Sequence, residues 1–171
     1  MDAWTPLLNA AKDGNEKLVE ILLDNKAFIE SRDMGGFTPL MWACYKNKPR
    51  CVHLLVDNGA NVNAQCKNTV CCMSWAAGRG YVEVVQELLK APGVKVNQQD
   101  RNSSTPLLWA ARKGCLPIVR MLVEKGANPD AIGMHNMTPL IIACKNGHNE
   151  TAVYLAKLNA TTLNQLDKVG G

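Results

Sequence analysis

The sequence has few of the features that mark a membrane, secreted or metal-binding protein. No run approaches the roughly 18 apolar residues of a membrane span, and the opening stretch MDAWTPLLNAAKDG lacks the basic-then-apolar layout of a signal peptide. The seven cysteines include no C-x-x-C pair, and the adjacent Cys71 and Cys72 suit neither a tetrahedral metal nor a disulfide. These absences predict a cytoplasmic chain with reduced thiols, no metal and no cofactor.

Signatures of catalysis and of nucleic-acid binding are also missing. The chain has no evident nucleophile–base pair and no G-x-x-x-x-G-K-S/T phosphate loop. Its three histidines form no ligand pair with a nearby carboxylate, and His53 is expected to face solvent. The net charge of +4 on 171 residues is mild beside that of a nucleic-acid-binding tail. We therefore predict a folded protein that is not an enzyme and for which nucleic acid is a disfavoured partner.

What the chain does contain is a repeated unit of 33 or 34 residues. Thr-Pro-Leu opens four of the units and Cys-Cys-Met opens the third; the openings fall at Thr5, Thr38, Cys71, Thr105 and Thr138. The single extra residue lies in the loop KAPGVKVN, where an insertion costs little. The period predicts a single domain, 1–171, of five repeats with bounds of about 2–34, 35–67, 68–101, 102–134 and 135–167.

Residue types within each repeat predict two helices, a tight turn between them and a looped return. Thr caps the first helix and Pro follows in its first turn, where the missing N–H costs nothing. A residue able to adopt a left-handed conformation ends this helix: Gly14, Asn47, Gly80, Gly114 or Gly147. A similar residue ends the second helix: Gly59, Gly93, Gly126 or Asn159. In the loops that follow, Asp33 and Asp100 are turn formers.

The period, the Thr-Pro-Leu openings, the paired small residues and endings such as GANVN resemble the ankyrin repeat family over the whole chain. The resemblance implies an all-α ankyrin-repeat solenoid of stacked helix-turn-helix units with protruding β-hairpin-like loops, whose concave face binds other proteins. It also implies that His148 stabilises a turn. Solenoids need polar end caps and none is evident, so we expect a fragment of a longer array.

Three of the four tryptophans recur at one place in the central repeats. Trp42, Trp75 and Trp109 stand four residues after the opening position, on a face that the family resemblance makes concave. Residues three and four positions further on share that face. In the central repeats these include Tyr45, Lys46, Arg79, Arg112 and Lys113. The indoles fit two interpretations, core filler between helices or the partly exposed floor of a binding groove, and both can hold at once.

Over all five repeats these flanking positions hold six basic residues and one acidic residue, so the groove is more positive than the chain as a whole. Such a floor suits an extended peptide that mixes apolar side chains with Asp, Glu or phosphate. In the loops, Met34, Phe37 and Met134 are further candidates for partner contacts. The alternative is a sensor of a phosphorylated nucleotide or oligonucleotide whose bases stack on the indoles.

A closer resemblance concerns three stretches, SRDMGGFTPLMWACYKNK, WAAGRGYVEVV and TPLLWAARKGCLPIV. They are similar to the ankyrin region of ankyrin-repeat-rich, membrane-spanning scaffolds that interact with kinase D. This resemblance implies an adaptor at the cytoplasmic face of a membrane that binds receptor tails and signalling proteins in neurotrophin-type signalling, without membrane insertion by this chain. Asn63 and Asn97 resemble loop asparagines that are hydroxylated in other ankyrin proteins, so both are candidate modification sites.

The third repeat departs from the pattern. Its Cys71-Cys72 pair replaces Thr-Pro and removes a helix cap worth roughly 1 kcal/mol, so we expect this repeat to be the weakest. A redox role for the pair is the alternative. Cys44 and Cys144 occupy small-residue positions and Cys51 an apolar one, and all three are expected to be buried core filler.

Overall fold

The computed structural model describes residues 4–158, and within them ten α-helices form five consecutive pairs. A turn of two or three residues joins the two helices of each pair, and a longer loop leads to the next pair. The helices are α1 (Pro6–Asp13), α2 (Glu16–Asp24), α3 (Pro39–Tyr45), α4 (Pro49–Asp57), α5 (Cys72–Arg79), α6 (Val82–Lys90), α7 (Pro106–Lys113), α8 (Leu116–Glu124), α9 (Pro139–Lys145) and α10 (149–158).

The helices form two layers. The first helices contact one another in sequence, α1 with α3, α3 with α5, α5 with α7 and α7 with α9. The second helices α2, α4, α6 and α8 form a parallel row of contacts. The predicted all-α solenoid of stacked helix pairs is therefore confirmed. Its division into five repeats within a single domain stays a prediction, and the stretch 159–167 assigned to the fifth repeat lies outside the described residues.

The opening threonines cap the first helices as the sequence predicts. Each hydroxyl accepts a hydrogen bond of 3.3–3.4 Å from the backbone N–H three residues on; the pairs are Thr5–Leu8, Thr38–Met41, Thr105–Leu108 and Thr138–Ile141. Pro stands at the start of each of these four helices. In the third repeat Cys71 occupies the cap position of α5 and makes no capping hydrogen bond of the threonine type.

Left-handed residues end the helices at the expected places. All five residues predicted to end the first helices, and three of those predicted to end the second helices, have φ between 54° and 87°. In the first repeat Lys26 adopts the same conformation, with φ of 60°, where the sequence offers no glycine. Asn159, the remaining predicted stop, lies outside the described residues.

Each loop between repeats folds into a hairpin-like tip closed by a backbone hydrogen bond across five residues. The closing pairs are Asp33–Phe37, Cys66–Val70, Asp100–Ser104 and Gly133–Met137, at 3.0–3.3 Å. Guanidinium groups link neighbouring tips: Arg32 donates to the Gln65 carbonyl and Arg101 to the Lys67 carbonyl. The stacked tips thus form a ribbon along one side of the helices.

One continuous apolar core joins the two layers. The paired small residues of the first helices are 0–2% exposed and allow close approach; they are Ala10-Ala11, Ala43-Cys44, Ala76-Ala77 and Ala110-Ala111. The second helices contribute fully buried valines, Val19, Val52, Val85 and Val119. Among residues 4–158 no helix is long and apolar enough to cross a membrane.

The expected burial of cysteines is right for two residues and wrong for a third. Cys44 and Cys51 are buried. Cys144, at the position equivalent to Cys44, is exposed. The reason is coverage by the next repeat: α3 packs against α5, whose Cys72 contacts Cys44, whereas no first helix follows α9 within the described residues.

Candidate binding face

Six aromatic side chains from four repeats form one connected cluster beside the first helices, which we call the aromatic ladder. Its members are Trp4, Phe37, Trp42, Tyr45, Trp75 and Trp109. Ring centroids of Trp42 and Tyr45 lie 5.8 Å apart, those of Tyr45 and Trp75 5.3 Å, and those of Trp75 and Trp109 6.4 Å. These distances fall in the range where aromatic pairs attract one another. Trp75 and Trp109 therefore contact each other directly, whereas Trp42 is connected to Trp75 through Phe37 and Tyr45.

The three repeated tryptophans are partly buried and partly exposed to solvent. Trp109 shows how the buried side is held. A Cβ atom placed on Gly78 would lie 2.6 Å from Cε3 of Trp109, so the indole rests directly on the backbone of the preceding repeat. Glycine is required at position 78 for this contact. Both interpretations of the sequence, packing and display, describe part of the arrangement.

Two aspartates fix two of the indoles. Asp33 Oδ2 accepts a hydrogen bond of 2.9 Å from Nε1 of Trp42, and Asp100 Oδ2 accepts one of 3.1 Å from Nε1 of Trp109. The other carboxylate oxygen of each aspartate accepts from two backbone N–H groups of its own hairpin tip. A single side chain therefore joins each tip to the following first helix. Sequence reasoning identified these aspartates only as turn formers.

The middle indole lacks this anchor. The residue nine positions before Trp75 is Cys66, where the flanking repeats have aspartate. Nε1 of Trp75 is buried and has no hydrogen-bond partner. A buried donor without an acceptor costs about 1–3 kcal/mol. The third repeat thus lacks its helix cap at Cys71 and its indole acceptor at Cys66.

Basic side chains lie over the aromatic rings. Lys12 Nζ is 5.0 Å from the ring centroid of Trp4 and 5.5 Å from that of Trp42. The guanidinium carbon of Arg79 is 4.3 Å from the Tyr45 ring, and its distance to the Trp75 ring is 5.7 Å. Such cation–π contacts contribute about 0.5–1 kcal/mol each at exposed sites. They place positive charge along the ladder rather than beside it.

The other predicted basic residues extend this layer. Arg112 lies 5.4 Å from the Trp109 ring centroid, and Lys46 lies 5.5 Å from that of Tyr45. The side chain of Lys113 instead crosses the turn at Gly80 of the preceding repeat, so it borders the ladder. Lys46, Arg79, Arg112 and Lys113 are exposed.

The cations of this face form no ion pair within the described residues, and the nearby carboxylates of Asp33 and Asp100 bind the indoles. Ion pairs among the described residues involve the second helices: Arg50 with Glu16, His53 with Asp57 and Glu87, and Lys90 with Glu87. The basic residues over the ladder take part in none of them. We call the ladder and its overlying cations the cationic face. Such a face attracts an anionic partner electrostatically.

A pocket of about 540 Å³ opens at the end of the ladder, between α7, α9 and the last two hairpin tips. Its walls include Trp109, Leu108, Met134 and Ile142, and its rim includes Arg112. The predicted residues Trp109, Arg112 and Met134 therefore meet at one place. The remaining predicted loop residues lie apart from it: Met34 is 77% exposed at its tip, and Phe37 packs between Trp42 and Trp75.

Two histidines have more specific surroundings than the sequence suggests. His53 was expected to face solvent, but its ring is only partly exposed and lies 3.4 Å from Asp57 and 3.2 Å from Glu87. The contact of His53 with Glu87 joins α4 to α6, and residue spacing in the sequence does not reveal it. Nε2 of His148 lies 2.9 Å from the Arg112 carbonyl oxygen, in keeping with the expected turn-stabilising role.

The candidate hydroxylation sites connect successive loops. Asn63 donates to the carbonyl oxygen of Gly93 and accepts from the N–H of Lys95, both at 2.8 Å. Asn97 makes the equivalent pair of bonds one repeat later, with Gly126 and Asn128. Hydroxylation of either side chain stays a prediction.

The buried cysteines are poorly suited to thiol chemistry. Burial raises the pKa of Cys51 from its ordinary 9.0 to about 11. Contact with the Cys44 thiol, together with burial, holds the pKa of Cys72 well above the ordinary value, and burial also raises the pKa of Cys71. Because the thiolate is the reactive form, a redox role for Cys71-Cys72 gains no support. The described residues also contain no cluster of three or more potential metal ligands.

Comparison with protein families gives one match. A family model described as ankyrin repeats, three copies, matches residues 1–66 and 73–167. The unmatched stretch, 67–72, holds most of the second hairpin tip and the cysteine pair that replaces Thr-Pro. A search of curated proteins gave no match.

Proposed function

We propose, from the premise that this chain belongs to the ankyrin repeat family, that its cationic face binds an extended peptide segment of a partner protein. Ankyrin repeats generally mediate protein–protein interaction, and the family is typically non-enzymatic. In this chain the partner peptide contacts Trp42, Trp75 and Trp109 and the cations that lie over the ladder.

The observation that supports the proposal most is the layering of unpaired cations on a continuous aromatic ladder. Aromatic residues and Arg are the residues that most often dominate binding energy at protein interfaces. Ring centroids of Trp75 and Trp109 lie 6.4 Å apart, and Tyr45 bridges Trp42 and Trp75 with centroid distances of 5.8 and 5.3 Å, so the three indoles span less than about 18 Å. At about 3.3 Å per residue, this length fits at most about five residues of extended chain.

The chemistry of the face selects the ligand. Partly exposed indoles favour apolar or aromatic side chains, while Arg79 and Arg112 can bind carboxylate or phosphate oxygens in bidentate fashion. The ligand is therefore a segment that combines apolar residues with Asp, Glu or phosphorylated residues. Met34 and Met134, exposed at hairpin tips, supply adaptable contacts at the edge of the groove.

A cellular role can be proposed from the three sequence stretches similar to membrane-spanning scaffolds. In that role the chain acts as an adaptor in the cytoplasm, at the inner face of a membrane, and binds the tails of neurotrophin-type receptors or signalling proteins. Synthetic peptides from such tails provide the test by fluorescence polarisation. Failure of every acidic tail peptide to bind would remove the receptor role and leave peptide binding itself to be tested separately.

A nucleotide-sensing function is the second candidate, and the terminal pocket is the observation that favours it. There a partly exposed indole, Trp109, lies beside Arg112 and Lys145, and bases stack well on exposed indoles. A nucleotide would occupy this one pocket. An extended peptide would contact all three tryptophans.

The decisive experiment compares the single variants Trp42→Ala, Trp75→Ala and Trp109→Ala. The probe is a fluorescein-labelled acidic peptide obtained by selection from a displayed random library on the wild-type chain. We expect each variant to weaken binding by about tenfold or more, because each removes one anchor of an extended interface. Loss from Trp109→Ala alone, together with ATP or oligonucleotide binding, would favour the nucleotide function.

A matched control lies away from the ladder. Arg120 stacks over Tyr154 at 4.8 Å, which is the same kind of cation–aromatic pair on the second helices. Tyr154→Ala should leave peptide affinity unchanged. Melting temperatures of all four variants separate lost binding from lost folding.

A further inference from the structure

The terminal pocket exists because two residues of the ladder pattern are replaced together. In the last described repeat Ile142 stands where the central repeats have tryptophan, and Gly133 stands where two of them have the aspartate that binds it. Both substitutions remove volume from the same place. The space left is the pocket of about 540 Å³ beside Trp109.

The same replacement changes the hairpin tip. Without an aspartate at position 133, no carboxylate gathers the tip N–H groups as Asp33 and Asp100 do. Residues Met134–Asn136 form a 3-10 turn instead, and His135 and Asn136 both have φ of 56°. This turn contributes Met134 to the pocket wall and His135 to its lining.

The pocket lining combines apolar side chains, two cations and neutral polar groups such as Asn102 and Ser104. Leu108, Met137 and Ile142 line it together with the indole of Trp109. Part of that indole rests on Gly78 and Arg112 lies over its ring, while the indole also lines the pocket. Arg112 and Lys145 supply the charge, and no Asp or Glu is among the lining residues.

We propose that this pocket is the anchor subsite for one large apolar side chain of the bound peptide, with a carboxylate next to it in the ligand sequence. The inference rests on the proposed peptide-binding function and adds the position that sets specificity. The volume lies in the usual range of about 300–1,000 Å³ for ligand pockets, ample for a phenyl or indole ring.

Charge decides between possible occupants. An apolar side chain alone would satisfy the walls but leave Arg112 and Lys145 unpaired, whereas a neighbouring Asp, Glu or chain-terminal carboxylate meets both. Arg112 already lies over the Trp109 ring, so a carboxylate bound to it is held beside the aromatic wall. Upstream, Tyr45 contacts Trp75 and Trp75 contacts Trp109, so aromatic groups of successive repeats pack against one another where the last repeat has the pocket. One anchor per peptide is therefore expected, at the Trp109 end.

The test fills the pocket by completing the ladder pattern. The double variant Gly133→Asp with Ile142→Trp places an indole and its acceptor where the other repeats have them. Displayed 12-residue random peptides are selected separately on wild type and on this variant. We expect wild type to select acidic peptides with a large apolar residue beside Asp or Glu at a fixed place, and the filled variant to select acidic peptides without it.

A binding measurement then quantifies the anchor. The selected peptide should bind wild type at least about tenfold more tightly than the same peptide with its large apolar residue changed to Ala, a difference of about 1.4 kcal/mol. On the filled variant the two peptides should bind equally. Met134 is exposed at a hairpin tip, so Met134→Ala should leave the helices intact. This variant should reduce the affinity ratio of the two peptides by a smaller amount. It provides the test if the double variant fails to fold.

A control variant and the contrary outcomes complete the design. Gln86→Trp adds an indole to the groove between α6 and α8 on the opposite layer and should leave discrimination intact. Identical consensus sequences from wild type and the filled variant would overturn the anchor inference while the peptide-binding function stands. Absence of any acidic consensus on wild type would overturn the function itself. If wild type binds ATP and the filled variant does not, the pocket is a nucleotide site and not a peptide anchor.

Discussion

At the scale of single residues, an aspartate nine positions before each indole controls how firmly that indole is held. Asp33 and Asp100 bind the indoles of Trp42 and Trp109, and both also hold their hairpin tips. At Trp75 the corresponding residue is Cys66, so a buried N–H is left without an acceptor. Cys66 is buried as Asp100 is, which indicates that the position can accept the carboxylate.

The first prediction restores the missing acceptor. Cys66→Asp should raise the free energy of unfolding by about 1 kcal/mol, because it pairs the orphaned N–H of Trp75 and anchors the second hairpin tip. Urea unfolding measures the change. The control is the same substitution in a Trp75→Phe background, which has no indole N–H to pair. An equal gain in both backgrounds would show that the indole is not the reason.

A second residue-level prediction concerns thiol accessibility. Iodoacetamide at neutral pH should label Cys144 first, because it is exposed, whereas the five buried cysteines should react only after unfolding; they are Cys44, Cys51, Cys66, Cys71 and Cys72. Peptide mass spectrometry identifies the labelled sites. Early labelling of Cys71 or Cys72 in the folded chain would contradict the buried arrangement and revive a redox role.

The third prediction is a pH dependence. In the folded chain the pKa of Cys51 is about 11, above its ordinary value of 9.0, so the folded state keeps a proton that the unfolded state releases. This contribution to stability is complete below pH 9 and is lost as the pH rises toward 11. Cys51→Ala should therefore show a shallower fall in unfolding free energy between pH 9 and 11 than wild type. Parallel pH profiles would rule out Cys51 as the source.

At the scale of secondary structure elements, capping explains why the third repeat differs from its neighbours. Helices α3 and α7 begin with a threonine that binds the amide three residues on, whereas α5 begins with Cys71 and has no such bond. Most helical stability in a short helix comes from packing, but an uncapped end still opens first. We therefore expect α5 to be the local weak point of the stack.

The fourth prediction restores that cap. Cys71→Thr should stabilise the chain by about 1 kcal/mol, and the reciprocal Thr105→Cys should destabilise it by a similar amount. Hydrogen exchange gives the local readout, since the Ser74 amide should gain protection in Cys71→Thr. A stability gain without added protection at Ser74 would show that the cap is not its cause.

Much of this element-level structure could be predicted from residue types alone, because capping and helix termination are local. Thr38 and Asn47, for example, act where the sequence places them. The contact of Asp33 with Trp42 could not be read in the same way, since it depends on how a hairpin folds back on a helix. The exposure of Cys144 depends on whether a following helix covers it. The terminal pocket depends on Gly133 and Ile142, which replace an aspartate and a tryptophan at two positions that are close together in space.

At the scale of the whole molecule, charge is distributed by layer. The ion pairs of the described residues involve the second helices, and the cations over the ladder remain unpaired. The net charge of +4 therefore understates the positive potential of one face. An acidic peptide would be drawn to that face, where it would also find the aromatic contacts of the ladder.

The fifth prediction is a salt dependence of peptide binding. Raising NaCl from about 0.05 to about 0.5 M should weaken binding of a selected acidic peptide by roughly tenfold, because exposed charges are screened. Arg79→Gln with Arg112→Gln should weaken binding at low salt and flatten the salt dependence. Lys90→Gln, on the second-helix layer, is the control. An unchanged salt slope in the arginine double variant would place the electrostatic contact elsewhere.

The row of indoles has a further consequence for observing the molecule. Trp75 and Trp109 belong to different repeats, yet their ring centroids are 6.4 Å apart, and those of Trp4 and Trp42 are 5.5 Å apart. Chromophores at such distances couple their electronic transitions, and the coupling falls steeply as they separate. The near-ultraviolet circular dichroism of the unlabelled chain is therefore an intrinsic optical gauge of whether neighbouring repeats remain stacked.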